Sequence, residues 1–174
     1  MPLDLDSTAI TELLATWPVG RLAMVSADGG GPWVTPVVFA PARGSVWTPI
    51  DGKPKTGGPL ARVANAAADP RAALLLDEYS EDWSRLWWVR IDGTVRVHRV
   101  GPEPEGPAAE ATAALRAKYP QYREVPLFSG PPTLLEFTIV RTRGWRAVET
   151  GAAAPPMDPT RSDPASARPA AHRR

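Results

Sequence analysis

The chain has 174 residues, 43% of them hydrophobic and 22% charged, which fits one globular domain. Twenty Lys and Arg face 19 Asp and Glu, so the net charge of +1 lacks the basic excess of a dedicated nucleic-acid binder. Cysteine is absent and there are only two histidines, His98 and His172; this excludes disulfides, thiolate nucleophiles and Cys- or His-rich metal sites.

No apolar run reaches the roughly 18 residues of a membrane helix. The acidic, interrupted opening MPLDLDSTAITELL has no basic segment before an apolar stretch, so no signal peptide is expected. A cytoplasmic location is the expectation, with neither membrane nor nucleic acid as partner. The 21 prolines break long helices, and the seven tryptophans are large surfaces that need burial or a partner.

The first element reads as a short helix. Asp6 or Ser7 caps it, Ile10, Leu13, Leu14 and Trp17 form one stripe, and Pro18 ends it. Arg21 to Ser26 reads as a strand, 27–31 as a turn and Trp33 to Phe39 as a second strand. Pro41 to Gly44 turns the chain into a third strand, Ser45 to Ile50. Together these three predict an antiparallel meander. A loop, Asp51-Gly-Lys-Pro-Lys-Thr-Gly-Gly-Pro59, leads into a helix with Leu60, Val63, Ala64 and Ala67 on its apolar face. Asp69-Pro70 stops that helix, and Arg71 to Leu76 is a fourth strand.

Arg85 to Val100 alternates, with Trp87, Val89, Ile91, Val95 and Val97 on one face and Arg90, Asp92, Thr94, Arg96 and His98 on the other. Asp92-Gly93 in its middle fits either a tight hairpin or a bulge in one bent strand. Pro104 to Tyr119 reads as an Ala-rich helix. Leu134 to Val140 is a final strand, which Trp145 to Val148 can extend. The whole is mainly β with flanking helices, a small antiparallel barrel over residues 1–150. Residues 151–174 carry no aromatic or branched aliphatic side chain and read as a disordered Ala/Pro/Arg-rich tail.

Signatures for phosphate loops, dinucleotide binding, serine hydrolases and zinc proteases are missing. His98 is the one candidate base in the body; a solvated strand residue is the alternative. Lys53 and Lys55 flank a proline between a strand end and a helix start, a pattern that suits an anion, phosphate above all. A plain solvated loop has the same composition. Trp88 falls on the polar face of its strand. It is read as part of a subunit interface or a stacking surface for a planar ligand, or else as a residue packed under a loop or the C-terminal helix. Pro36 interrupts an apolar strand, which places that strand at an edge or a bulge.

These residues resemble a known family. Arg21-Leu-Ala-Met-Val-Ser-Ala-Asp-Gly29, Val34-Thr-Pro-Val-Val-Phe39, Val46-Trp-Thr-Pro-Ile-Asp-Gly-Lys-Pro-Lys55 and Asp69-Pro-Arg71 are similar to the pyridoxamine 5′-phosphate oxidase-like FMN-binding split barrels. The segments 48–55, Tyr79-Ser-Glu-Asp-Trp-Ser-Arg-Leu-Trp-Trp-Val-Arg90 and Lys118-Tyr-Pro-Gln-Tyr-Arg123 resemble the actinobacterial subgroup that uses the deazaflavin coenzyme F-420. The resemblance covers residues 7–148. It implies a six-stranded antiparallel split β-barrel, a bent strand through Gly93, and a homodimer with the cofactor at its interface.

By the same resemblance the cofactor ring lies against Thr35, Pro36, Thr48 and Ile50. Asp51, Lys53, Lys55 and Thr56 hold the phosphate, and the partner's Trp88 and Trp83 close the site. The implied activity is an oxidoreductase moving a hydride between F-420 and a small organic substrate. An FMN enzyme of the same fold and a non-catalytic cofactor-binding barrel are the alternatives. No catalytic side chain and no metal is expected. The family follows the lysine pair with further basic residues. Here Thr56-Gly-Gly-Pro-Leu-Ala-Arg62 follows, with one arginine, which implies a weaker grip on the acidic tail of F-420.

Overall fold

The computed structural model describes residues 3–50, 61–128 and 130–147. The loop 51–60 and the tail 151–174 lie outside them. Eight strands are described: β1 (Leu3–Asp4), β2 (Gly20–Val25), β3 (Pro32–Val37), β4 (Ala40–Ala42), β5 (Ser45–Pro49), β6 (Arg71–Glu78), β7 (Trp87–Arg99) and β8 (Thr133–Arg146). The helices are α1 (Ser7–Thr16), α2 (Ala61–Ala68) and α3 (Gly106–Lys118), with two short 3-10 turns, Trp83–Arg85 and Pro120–Arg123.

All pairings are antiparallel, in the order β3-β2-β6-β7-β8-β5-β4, with β1 added to β8. The expected split barrel is therefore present, with seven strands along its path where six were expected. The seventh is β4, a three-residue strand that runs into the stretch expected to turn.

The expected meander is corrected. β2 and β3 form a hairpin, but β5 pairs with β8, at the other end of the sheet. The reason lies at Phe39. Its backbone N–H donates to the Tyr119 hydroxyl at 2.9 Å, and its carbonyl lies 2.8 Å from the same oxygen. A residue whose backbone groups are used this way does not continue a ladder. The chain leaves β3 after Val37 and crosses to the far edge.

Inside the barrel Leu22, Met24, Val37, Val46, Leu74, Leu76, Val89, Ile91, Val95, Leu135 and Phe137 form one core, closed by Ile10 and Leu14 of α1. Asp6 caps α1 as expected, accepting from the Ala9 N–H at 2.8 Å. Trp17 packs edge-on against Trp87, centroids 4.6 Å apart. A second cluster lies outside the barrel, where Ala111 and Leu115 of α3 cover Trp47 and Leu134.

α2 is turned relative to the expected stripe. Arg62, Asn65 and Ala66 are buried, whereas Ala67 is exposed. Asn65 accepts the Ala27 N–H at 2.9 Å, so a polar side chain ties this helix to the turn after β2.

The alternation in β7 marks one bent strand, not a hairpin. The register slips at Asp92/Gly93: Asp92 opposes Arg141 and Gly93 opposes Ile139, leaving Val140 as the extra residue on β8. A Cβ at Gly93 would sit 2.1 Å from the Thr138 carbonyl oxygen, so the close approach requires glycine.

Candidate functional site

Paired residues on adjacent strands project from the same face. The registers therefore write out the outer face of the sheet row by row. One row is Pro36, Arg21, Leu75, Arg90, Arg143; the next is Val34, Ala23, Ala73, Asp92, Arg141; a third is Asp77, Trp88, Trp145, Asp4. Helix α3 packs on the β4–β5 end and does not cover this face. Val34 is 61% exposed and Val25 42%. Trp88, Trp145 and Leu75 are half-buried. The result is an open sheet face of apolar and aromatic side chains set among arginines. Such a surface on a single chain marks an interaction site.

The ion pairs on it are few. Arg21 reaches Asp77 at 3.1 Å without hydrogen-bond alignment, and Asp92 is shared by Arg90 and Arg141 at 3.1 and 2.7 Å. The Arg141 hydrogen bond, with the Arg90 charge beside it, holds the Asp92 carboxyl below its usual range.

The named site residues fall in different places. Thr35 opposes Leu22 and so faces the barrel interior, half-buried. Thr48 and Ile50 are also interior, at 5% and 3% exposure. Pro36 is exposed on the edge strand β3, where a missing N–H costs no ladder bond. Trp88 shares the outer face with Pro36, and Trp83 is 62% exposed on the turn before β7. Asp51, Lys53, Lys55 and Thr56 lie outside the described residues.

Thr48 lines a cavity of about 10 Å³ with Leu22, Val37, Phe39, Val46, Leu74, Val95, Leu135 and Phe137. Its hydroxyl is buried without a partner. That volume is at the lower limit for one water, so a ring system has no room there. The outer face offers other chemistry: flat apolar contact from Trp88, Trp145 and Leu75, and charge from guanidinium groups.

The Lys118–Arg123 segment is a clamp. Lys118 Nζ donates to the Leu14 carbonyl at the end of α1 at 2.8 Å and sits 3.7 Å above the Phe39 ring. Tyr119 is buried, and its hydroxyl also lies 3.0 Å from the Pro18 carbonyl. Burial pushes Lys118 down to about 8 and Tyr119 up to about 12.

His98 is not a free base. Its Nε2 lies 2.8 Å from Glu136, which also binds Arg96 at 2.7 Å and accepts from Ser45 at 3.2 Å, and its ring packs on Trp47. Among the described residues no group of three metal-ligating side chains occurs. No described helix is long and apolar enough to cross a membrane.

Residues that the sequence did not single out complete the outer face: Trp145, Arg143 and Arg141. The alternating pattern of β7 placed Trp88 there. The bulge in β8 hid the matching pattern, because Val140 shifts the parity of everything after it.

The fold is an antiparallel split barrel with one open face. The family description for pyridoxamine 5′-phosphate oxidase matches residues 7–146. The chain belongs to that family. No curated protein matches. Among solved structures, a conserved hypothetical protein from Mycobacterium tuberculosis is 20% identical, with a TM-score of 0.65 over 90% of this chain and 94% of that one. A FAD-binding protein from Mesorhizobium loti is 20% identical, with a TM-score of 0.59 over 84% of this chain and 99% of that one. The heme storage protein from Vibrio cholerae is 14% identical, with a TM-score of 0.58 over 78% of this chain and 90% of that one. At these identities the likeness is one of fold.

Proposed function

We propose that this protein is an oxidoreductase that moves a hydride between the deazaflavin coenzyme F-420 and a small organic substrate. It works as a homodimer with the cofactor between its copies. The observation that carries the reading is the open outer face with Trp88 and Trp145, on a chain that belongs to the pyridoxamine 5′-phosphate oxidase family. The choice of F-420 is supported by the resemblance of residues 48–55, 79–90 and 118–123 to the deazaflavin subgroup.

The bound cofactor supplies the hydride chemistry. The chain's part is to bind, orient and keep water out. Lys53 and Lys55 neutralise the phosphate, with Asp51 and Thr56 beside them. Of the residues the resemblance names for the ring, Pro36 stands on the outer face with Trp88, while Thr35, Thr48 and Ile50 face the interior and support the strands from within. Trp88 and Trp83 of one copy close the site of the other. No side chain is assigned as acid or base.

An FMN- or FAD-dependent enzyme of the same fold is the second reading, favoured by the FAD-binding neighbour. A heme-binding role finds less support, because His98 Nε2 is engaged by Glu136.

The test is a tryptophan-fluorescence titration of apo-protein with oxidised F-420 and, separately, with FMN, using wild type and Lys55→Ala. Tight F-420 binding with weak FMN binding is expected, and Lys55→Ala weakens it by about 1.5–3 kcal/mol, the usual worth of a hydrogen bond to a charged group. The reverse preference moves the protein to the flavin reading. No saturable binding of either refutes both.

A further inference from the structure

The outer face holds more guanidinium than carboxylate. Arg90, Arg141 and Arg143 share their part of it with one acidic side chain, Asp92. Both Asp92 oxygens are already engaged: Arg90 holds one through Nε at 3.1 Å and the other through a terminal nitrogen at 3.2 Å, and Arg141 holds the second at 2.7 Å. Arg143 stands directly opposite Arg90 in the β7–β8 register and is exposed. Among the described residues it has no ion-pair partner. Side chains so paired leave their strands about 5 Å apart on one face, and like charges there are unfavourable. Three guanidinium groups around one carboxylate leave a local charge of +2.

We infer that Arg90 and Arg143 form an anion-binding subsite for a phosphate or carboxylate group. The Arg143 fork and the N–H groups of Arg90 not taken by Asp92 offer donors to the paired oxygens of either group, and a bound anion relieves the repulsion between the two guanidinium groups. Asp92 holds Arg90 in position from the side. Leu75 lies across from Arg90 on β6, and Trp88 and Trp145 form the adjacent row, so the anion meets partly apolar surroundings that strengthen its attraction.

The occupant has two sources, the phosphodiester and glutamate tail of a bound deazaflavin or free phosphate. Only the first rests on the function proposed above. It would also supply cations that the stretch after Lys55 lacks.

The test titrates inorganic pyrophosphate into wild type, Arg143→Gln and Arg143→Lys by calorimetry at low ionic strength. Arg123→Gln, on the distant 3-10 turn, serves as control. Saturable binding to wild type and control is expected. It falls about tenfold in Arg143→Gln, with Arg143→Lys between, as losing one charged hydrogen-bonding fork implies. No saturable binding by wild type, or equal binding by Arg143→Gln, overturns the subsite. Thermal unfolding of each variant shows that the fold is intact; Arg143 is exposed, so its replacement leaves the core alone.

A second arm compares F-420 with a deazaflavin lacking the phosphodiester and glutamates. If Arg143→Gln loses affinity for F-420 alone, the tail is the occupant. If pyrophosphate still discriminates between the proteins while neither deazaflavin does, the subsite stands and takes free phosphate. The functional proposal is then decided by its own titration.

Discussion

The hydroxyl of Tyr119 holds the backbone of Phe39, 80 residues earlier in the chain, accepting its N–H at 2.9 Å and lying 2.8 Å from its carbonyl. Phe39 is fully buried, so no water can take over these groups. This contact ends β3, sends the chain across the barrel and anchors the end of α3. Tyr119→Phe keeps the ring and removes the oxygen. It is expected to cost about 3 kcal/mol, the penalty for leaving buried backbone groups unpaired. Urea unfolding of the two proteins checks this.

Lys118 gives the same region a pH dependence. Burial lowers it from the usual 10.5 to about 8. Between those values the unfolded chain binds more protons than the folded one, so stability rises as pH goes from about 8 towards 10. Tyr119, raised to about 12, acts the other way above its ordinary value of 10. There the folded chain binds more protons, and stability falls with further rise in pH. Unfolding midpoints from pH 7 to 11 are expected to rise and then fall. In Lys118→Met the rise is expected to disappear while the fall remains.

Gly93 lies where β7 and β8 slip register. A methyl group there meets the Thr138 carbonyl oxygen at 2.1 Å and the Phe137 ring at 2.5 Å. Neither backbone nor buried ring can yield cheaply. Gly93→Ala is expected to destabilise by about 3 kcal/mol or more, beyond ordinary overpacking. Calorimetric unfolding, or loss of soluble protein, shows it.

Much of this fold was legible because β7 keeps strict alternation through Gly93, and because Asp6 and Pro18 bracket α1. What was hidden came from contacts distant in sequence. Nothing near Phe39 announces that Tyr119 takes its backbone, so β3 and β5 looked like neighbours. Buried Arg62 and Asn65 broke the apolar rule for α2; Asn65 is buried because its amide accepts the Ala27 N–H, a contact 38 residues away. Trp88 was legible as a misplaced aromatic. Its row-mate Trp145 was not, because the bulge at Val140 changes which residues of β8 share a face.

Trp88→Ala removes one of the two large aromatics from the outer face. If a second copy covers that face, the dimer dissociation constant rises about tenfold or more, as for a central interface tryptophan. Folding is expected to change little, because Trp88 is only half-buried and lies outside the core. Sedimentation across a dilution series, beside thermal unfolding, separates the two effects.

The most direct test of a cofactor held between two copies follows the cofactor itself. Sedimentation velocity is recorded at the absorption of bound F-420 and at that of protein. The chromophore is expected to travel with a dimer, at one cofactor per chain, and dilution is expected to release cofactor and dissociate the dimer together. Chromophore sedimenting with a monomer, or a dimer that gains no chromophore, contradicts it.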